Sequence, residues 1–268
     1  HLDNVNLGNG GVLEFAFKDT GADGAIVEKT ANIGNLNGYG TIKLDGNSDW
    51  ITYTLNLNGS GKYTGSISDD SSKAAQVVSI VKNGTGTQVL GGNNTYKGTT
   101  TVNEGTLLMN RTDGNTTITV KSGAFLGAAG NGLNVANIVK ESGASFVFDF
   151  SMGSDVSINL TDGSKLSGEI LSTDFVFCNI AGILNMETLL FSFTEEENIT
   201  NAFLKEILDS GATYTYIDKA TGDQYIAKFT EGDADGCMYV TFEVPEPATW
   251  AAIFGALALA LAIYRRRK

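Results

Sequence analysis

The chain has 268 residues, of which 18 are Lys or Arg and 30 are Asp or Glu, so its net charge is −12. This acidic balance leaves no basic surface for phosphate backbones, which excludes nucleic acid as a partner. The 33 glycines, the 2 prolines and the 42% apolar content argue against disorder and indicate a β-rich fold whose turns use glycine at positive φ.

The N-terminal residues 1–29 are predicted to form a β segment or cap. The apolar run from Val12 to Phe17 would begin the first coil of the fold or pair onto it. The chain starts at His1, without a basic and then apolar leader. Because export needs such a leader, we expect that a signal peptide has been removed or that the sequence is a fragment.

Residues 30–170 have the pattern of short strands separated by polar turns. The apolar runs show period-2 alternation or brief β-branched stretches of strand length, and helical periodicity is absent. Examples of these runs are Gly40–Leu44, Trp50–Leu55, Val77–Val81 and Thr117–Val120. The turns between them, such as Asn83–Gly86 and Gly91–Asn94, recur about every twenty to thirty residues, which is the length of one solenoid coil.

A repeat pattern is clearest over residues 77–130. From Leu90 to Leu107 an apolar residue is followed by Gly-Asn-Asn-Thr-Tyr, Gly-x-Thr-x-Val and Gly-Thr-Leu. This segment resembles the autotransporter-associated β-strand repeat. The resemblance implies a right-handed parallel β-helix, the solenoid fold of the bacterial surface proteins that carry this repeat.

The alternation within the repeat predicts which side chains face the core. Gly98 and Gly105 are predicted corners, because a residue without Cβ can turn sharply. The predicted inward residues are Val102, Leu107, Ile118, Val120 and Leu126, and the predicted outward residues are Thr99, Thr101, Asn103 and Thr119. The alternative fold is an antiparallel β-sandwich, which also uses short strands and glycine turns.

Residues 171–243 are predicted to form a small α+β element that caps the coils. Thr194–Glu197 resembles a capping box and would open a helix that stops near Gly211. The apolar face of that helix would use Ile199, Phe203, Ile207 and Leu208. Tyr214–Ile217 and Tyr225–Phe229 are predicted to form a hairpin, and Met238–Phe242 would be its next strand.

The two cysteines, Cys178 and Cys237, lie in this same element. An oxidising compartment would allow a disulfide between them, but their separation along the chain does not set their distance in space. A disulfide and two buried thiols are therefore both compatible with the sequence.

Residues 244–268 form a three-part tail. It begins with Val244, Pro245, Glu246 and Pro247, which hold both prolines of the chain. The run from Ala248 to Tyr264 has no charged residue, and as a helix it would span about 25 Å, enough to cross a bilayer core. The basic residues Arg265, Arg266, Arg267 and Lys268 would stop transfer and stay on the cytoplasmic side.

This tail resembles the PEP-CTERM sorting signal of Gram-negative bacteria. In that family an exosortase, a membrane-embedded protease, recognises the Pro-Glu-Pro motif and releases or transfers the protein towards the surface. The resemblance implies an exosortase partner, transient anchoring in the inner membrane, and a final place in the cell envelope, on the cell surface or in the extracellular matrix. An ordinary tail anchor is the alternative.

The sequence predicts no catalytic residue, no metal site and no cofactor. His1 is the single histidine, which excludes an internal His-dependent triad or a His-based zinc cluster. The densest acidic clusters are Asp19–Gly24, Asp69–Asp70 and Asp233–Gly236. Each offers two or three ligands where calcium takes about six to eight oxygens, so solvated turns are the favoured interpretation.

A polysaccharide lyase or glycosidase on the same scaffold is an unsupported alternative. Polysaccharide lyases of this fold use basic residues beside calcium, and Arg111 is the single arginine of the predicted solenoid. Adjacent acids in turns also do not predict the spaced carboxylate pair of a glycosidase. Sugar stacking by strand aromatics is a further alternative to core packing, and the candidates are Tyr39, Trp50, Tyr53, Tyr63 and Tyr96.

The sequence therefore predicts an exported, non-enzymatic surface or matrix protein with a structural or adhesive role. Extracellular polysaccharide or host glycans are its candidate ligands. A carbohydrate-active enzyme or glycan-binding protein on a β-helix is the first alternative. An autotransporter passenger is the second, but that class needs a C-terminal transmembrane barrel, whereas the tail predicts a single helix.

Overall fold

The structure is a computed structural model that describes most of the chain up to Pro245. The described residues are 2–8, 10–17, 27–46, 51–69, 76–111, 116–153, 155–193, 208, 211–231 and 236–245. The predicted helix after Thr194, apart from Leu208, and the tail from Glu246 onward lie outside these ranges.

The described residues form strands joined by short turns and two 3₁₀ turns, Ser172–Asp174 and Ile180–Ile183. The strands in the N-terminal half are β1 (Leu2–Leu7), β2 (Val12–Phe17), β3 (Val27–Gly38), β4 (Thr41–Gly46), β5 (Ile51–Leu57), β6 (Gly61–Tyr63), β7 (Ser66–Ser68), β8 (Val77–Lys82), β9 (Thr87–Leu90), β10 (Thr100–Val102), β11 (Thr106–Arg111) and β12 (Thr117–Val120). The remaining strands are β13 (Phe125–Lys140), β14 (Ser145–Asp149), β15 (Asp155–Ser167), β16 (Phe175–Cys178), β17 (Thr188–Phe193), β18 (Thr213–Ile217), β19 (Gln224–Glu231) and β20 (Cys237–Glu243).

Most of these strands stack in parallel, each on the strand one coil further along the chain. Leu55 pairs with Ile80, Ile80 with Thr100, Thr100 with Ile118, and Ile118 with Ile138. Parallel strands so close in sequence need a return path of one full coil between them. This topology is that of a parallel β-helix, and it makes the antiparallel β-sandwich alternative wrong for the described strands from β1 to β17.

The coils present three faces. The first face contains β5, β8, β10, β12 and the end of β13. The second contains β6, β9, β11, the start of β13, β14 and β16. The third starts with β2, β4 and β7 and ends with β15 on β17. Parallel pairing thus runs from β1 to β17, so the stack extends beyond both ends of the predicted solenoid, residues 30–170.

The core is a continuous column of inward side chains. All five predicted inward residues are fully buried, and the four predicted outward residues are exposed or half-exposed. Towards the C-terminal end the column becomes aromatic, with Phe146, Phe148, Phe175, Phe177 and Phe191 in edge and stacked contacts. Aromatic pairs of this kind add to the free energy of simple apolar burial.

An antiparallel sheet closes the C-terminal end of the stack. β17 pairs with β20, β20 with β19, and β19 with β18, all antiparallel. The predicted hairpin and its following strand are therefore confirmed. Because β17 also continues the third face through β15, this sheet protects the last coil from edge-to-edge pairing.

The predicted transmembrane span from Ala248 to Tyr264 lies outside the described residues. Within the ranges that the structure describes, no helix has both the length and the apolar character needed to span a membrane.

Candidate functional site

The repeat segment owes its geometry to one buried amide. Asn94 is fully buried in the stretch between β9 and β10, where the third face has no strand. Its Oδ1 accepts from the backbone N–H of Ile67 at 3.2 Å, and its Nδ2 donates to the carbonyls of Leu90, Gly92 and Asn110 at 3.1, 2.9 and 2.9 Å. The side chain thus supplies the hydrogen bonds that a strand would otherwise make between neighbouring coils.

Tyr96, two residues further on, anchors the same coil. Its ring is fully buried, and its hydroxyl lies 2.5 Å from that of Thr100. The buried guanidinium of Arg111 lies 4.4 Å from the ring centroid and donates to the Tyr96 carbonyl. The one arginine of the solenoid is therefore internal and makes no basic groove.

Asp69 binds the backbone of two neighbouring coils. Its carboxylate accepts from the N–H groups of Val78 and Lys97, both at 2.6 Å. Burial raises its pKa above the usual value, although those two N–H groups and the charges of Lys97 and Arg111 oppose the shift. Of the predicted acidic clusters, Asp69 is the described member, and it acts as a structural cap.

The two predicted corner glycines are needed for different reasons. A Cβ on Gly98 would lie 2.2 Å from the Val78 carbonyl oxygen, so the coils approach too closely there for any side chain. Gly105 has a φ of 69°, a conformation that residues with a Cβ rarely adopt. Both positions therefore confirm the turn role that the sequence predicts.

A lysine occupies an inward position of the first face. Lys82 is fully buried and pairs in register with Leu57 and Val102. Its Nζ donates to the carbonyls of Asn83 and Gly84, both at 2.6 Å. Burial lowers the pKa of this amine, an effect that the charge of Glu104 opposes. The ammonium thus stabilises a corner of the coil by hydrogen bonds from the interior.

Polar side chains also form a column along one corner of the coils. Nδ2 of Asn103 donates to Oδ1 of Asn83 at 2.9 Å, and Nδ2 of Asn83 donates to Oδ1 of Asn58 at 3.2 Å. The column continues with an ion pair of 2.6 Å between Lys121 and Glu141. This hydrogen bond from Lys121 lowers the pKa of Glu141. The column stabilises coil stacking and presents no converging catalytic groups.

A buried ion pair lies at the C-terminal end of the stack. Lys140 Nζ lies 2.8 Å from Asp174 Oδ2, and the two side chains are 2% and 10% exposed. Lys140 also donates to the Glu169 carbonyl at 3.0 Å, and Asp174 accepts from the Leu171 N–H at 2.9 Å. The pair fixes the 3₁₀ turn Ser172–Asp174 against the first face.

Asp218 joins the antiparallel cap to the last coil. It is fully buried and accepts from the N–H groups of Asn179 and Ile180 at 3.1 and 2.7 Å, and from those of Ala220 and Thr221 at 2.8 and 3.3 Å. Burial alone would raise its pKa, but the four N–H donors hold the pKa below its usual value.

An open groove of about 440 Å³ lies beside this junction. One wall is β18, which pairs with β19 alone among the described strands. The other wall is the 3₁₀ turn Ser172–Asp174 and the start of β16. The residues that line the groove are Ser172, Thr173, Phe175, Tyr214, Thr215, Tyr216 and Ile217. The walls are joined by the Tyr216 hydroxyl, which donates to the Ser172 carbonyl at 2.6 Å.

The structure describes four of the ten predicted site residues. Val244 and Pro245 follow β20, with Val244 59% exposed, whereas Glu246, Pro247 and the basic residues Arg265, Arg266, Arg267 and Lys268 lie outside the described residues. Cys178 ends β16 and Cys237 begins β20, and both are half-buried free thiols, so the candidate disulfide is not formed. Burial, and then the charges of Asp149 and Asp218, raises the pKa of Cys178 to about 11.

Three of the five candidate sugar-stacking aromatics belong to the core. Tyr53, Tyr63 and Tyr96 are 3%, 0% and 0% exposed, so they pack in the core and are not available to stack on a sugar. Tyr39 is 57% exposed, and Trp50 lies outside the described residues. Within the described part of the chain, no three His, Cys, Asp or Glu side chains lie close enough to hold a metal ion.

Two features escaped the sequence prediction. The inward direction of Lys82 and Lys140 could have been predicted from the sequence, because each occupies an apolar position of an alternating strand. In β8, for example, Lys82 follows Val78 and Ile80 at the same spacing. No sequence pattern predicts the groove, because its two walls are separated by about forty residues of chain and meet only when the cap folds over the last coil.

Comparison with protein families finds one match. Residues 80–109 match the family model described as passenger-associated-transport-repeat. The matched residues run from β8 to β11 and include Asn94, Tyr96 and both corner glycines. The match supports the autotransporter-associated repeat, and with it an exported, cell-surface type of protein. No curated protein and no solved structure matches the chain.

Proposed function

We propose that the protein is an exported surface or matrix β-helix with a structural or adhesive role, sorted by an exosortase through its C-terminal tail. The observation that carries the proposal is the passenger-associated repeat at residues 80–109, which coincides with about one and a half coils of a parallel stack. The right-handed winding that the repeat implies is part of the same proposal.

Three charged side chains that carbohydrate chemistry could have used are held in structural contacts, which favours a scaffold over an enzyme. Asp69 caps backbone N–H groups, Asp174 pairs with Lys140, and Arg111 packs on Tyr96. A glycosidase needs two free carboxyl groups about 5 to 10 Å apart in a cleft, and these acids are engaged elsewhere. A polysaccharide lyase or glycosidase therefore stays the weaker candidate.

The sorting step rests on the tail sequence. Val244 is exposed at the end of β20, so the Pro-Glu-Pro segment begins at the protein surface next to the cap. Proline at 245 and 247 fixes φ and removes backbone donors, which suits presentation of an extended segment to a protease. The inner membrane would hold the chain only until cleavage.

Mass spectrometry of the C-terminus in protein from native cells tests sorting. A mature end near Pro247 supports exosortase processing, whereas an intact Arg265–Lys268 end contradicts it. Glu246→Ala is expected to block processing, and Glu243→Ala is the matched control because Glu243 is an exposed acid at the end of β20. Protease shaving of whole cells separately tests surface exposure.

A further inference from the structure

The groove between β18 and the last coil has the architecture of a small binding site. One wall is the edge of β18 with which no described strand pairs, and the other is the turn Ser172–Asp174 with Phe175. Asp218 fixes one end of β18 to Asn179 and Ile180, and the Tyr216 hydroxyl fixes its middle to Ser172. Both walls are therefore held in place before any ligand arrives, which lowers the entropy lost on binding.

The groove is lined by hydroxyl groups with free hydrogen-bonding capacity. Within the described residues, the side-chain hydroxyls of Ser172, Thr173, Tyr214 and Thr215 make no hydrogen bond to the protein, whereas that of Tyr216 does. Each hydroxyl is both a donor and an acceptor. Tyr214 and Thr215 are neighbours in β18, so their side chains leave opposite faces of the strand. The hydroxyls of Ser172 and Thr173 on the other wall, together with that of Tyr214, match a ligand that itself carries several hydroxyl groups.

The groove also combines this polarity with aromatic surface and lacks charge. Tyr214 is half-exposed and lies with its ring centroid 5.7 Å from that of Phe229, which supports it from behind. None of the lining residues is ionisable near neutral pH. Asp174 falls within the same turn, but its carboxylate faces Lys140 at 2.8 Å and is neutralised there. A charged ligand would gain nothing from this site.

We infer that the groove between β18 and the Ser172–Asp174 turn binds a unit of a neutral saccharide, stacked against Tyr214 and hydrogen-bonded to the hydroxyls of Ser172 and Thr173. A sugar ring has an apolar face for the aromatic ring and an equatorial rim of hydroxyls for the walls. The volume of about 440 Å³ is that of a small-ligand pocket. The inference deepens the proposed surface role by naming its ligand class.

An extended peptide added to the edge of β18 is the competing occupant. Strand addition would use the backbone groups of β18 and would leave the wall hydroxyls of Ser172 and Thr173 without a role. The saccharide accounts for both walls, and for this reason the observations favour it.

Isothermal titration calorimetry on the full 268-residue chain tests the inference. The chain is kept in a polyoxyethylene detergent, because sugar-based detergents would compete for the groove. The probes are cellohexaose, chitohexaose and mannohexaose, with hexagalacturonate as the anionic control and an acetylated Thr-Val hexapeptide as the strand-forming control. We expect at least one neutral hexasaccharide to bind at one site, and neither control to bind.

Matched variants locate the site. Ser172→Ala and Thr173→Val each remove one hydroxyl with little change of shape and are expected to weaken binding by about 3- to 10-fold. Thr213→Val lies on the same strand outside the groove lining and is expected to leave the affinity unchanged. Thermal unfolding midpoints equal to that of the parent chain show that these variants fold.

The inference is overturned if none of the three neutral saccharides binds, if the groove variants bind as well as Thr213→Val, or if the hexapeptide binds and displaces the saccharide. These results are independent of the sorting proposal, because binding by purified protein does not depend on cleavage of the tail. Conversely, an uncleaved tail in native cells would leave the binding result unaffected.

Discussion

The Nζ atom of Lys140 lies 2.8 Å from Oδ2 of Asp174 in the last coils, where both side chains are almost completely buried. This contact couples two neighbouring coils, because Lys140 ends β13 and Asp174 precedes β16. It also keeps a carboxylate out of the groove that Ser172 and Thr173 line. This ion pair therefore stabilises the last coils and also keeps the candidate site uncharged.

Breaking this ion pair from one side is expected to be costly. Lys140→Met leaves the carboxylate of Asp174 buried without its cation, and we expect a loss of about 3 to 5 kcal/mol in the free energy of unfolding. Lys140→Met combined with Asp174→Asn should lose less than the sum of the single changes, because Asn keeps an acceptor for the Leu171 N–H. Urea denaturation of the four proteins measures the cycle, and additive losses would contradict the coupling.

Acid is expected to weaken the junction at Asp218. Because the four N–H donors hold its folded-state pKa below the usual value, its carboxylate stabilises the fold above the unfolded pKa of about 3.9. That contribution is lost as the pH falls through the folded-state pKa. Asp218→Asn should therefore destabilise by about 1 to 3 kcal/mol at neutral pH and by progressively less in acid.

Thermal unfolding between pH 7 and pH 3 measures this difference. Asp223→Asn, on the exposed turn of the same hairpin, is the control and should change stability little. A destabilisation by Asp218→Asn that stays constant across the range would contradict the electrostatic account.

The buried amide of Asn94 is expected to dominate the stability of the repeat coil. Asn94→Ala removes an amide whose Oδ1 accepts from the Ile67 N–H and whose two N–H groups are shared among three carbonyls. We expect a loss of about 3 kcal/mol or more. Asn103→Ala removes one exposed link to Asn83 and should cost well under about 1 kcal/mol. Equal losses in chemical denaturation would show that the amide does not replace a strand.

The close approach at Gly98 is expected to reject any side chain. Gly98→Ala would place a methyl group 2.2 Å from the Val78 carbonyl oxygen, so the coils must separate. Gly182→Ala is the matched control, since no atom lies within 4 Å of its new Cβ and its φ is not positive. Differential scanning calorimetry should show a lower midpoint for Gly98→Ala only. A midpoint equal to that of the parent chain would contradict the observed coil spacing.

Cys178 is expected to react slowly with alkylating agents. With a pKa of about 11, only about one thiol in a thousand is ionised at pH 8. Its alkylation by iodoacetamide should keep rising with pH up to about pH 11, as read by peptide mass mapping. Asp149→Asn removes a neighbouring negative charge that raises this pKa, and should speed the reaction. A rate that levels off below pH 9, or a mapped Cys178–Cys237 disulfide, would contradict the free, protonated thiol.

The sequence predicted the elements whose signal is local. The inward positions of Val102, Leu107, Ile118, Val120 and Leu126 follow from alternation within single strands, and the hairpin from Tyr214 to Phe229 follows from two strands around a glycine turn. Such signals need only neighbours in sequence, because side chains of a strand alternate whatever the strand pairs with. Gly98 and Gly105 were equally readable, since corners recur with the coil.

The roles of Asn94, Arg111 and Lys140 needed the tertiary structure. Asn94 bonds to residues of neighbouring coils as well as of its own. Arg111 contacts Tyr96, and Lys140 pairs with Asp174, only because the coils stack on one another. A polar residue in a strand is normally predicted to be exposed. It can instead be buried when hydrogen-bonding or charged partners surround it, and the sequence does not show those partners. The same reason explains why Tyr53 and Tyr63 belong to the core and not to a sugar-binding surface.

By itself, the sequence determined a glycine-punctuated β fold with a repeat at its centre and a hairpin sheet after it, because composition, alternation and motif order are properties of the linear chain. The role of the C-terminal tail in export stays a prediction. The tertiary structure decided between the parallel stack that the repeat implies and the antiparallel sandwich that the same alternation fits. It alone showed that charged side chains pair inside the coils and that β18 borders an uncharged, hydroxyl-lined groove beside Tyr214. The physical reason is distance. Contacts between groups that many residues of chain separate are fixed by the register of the coils, and no local pattern records that register.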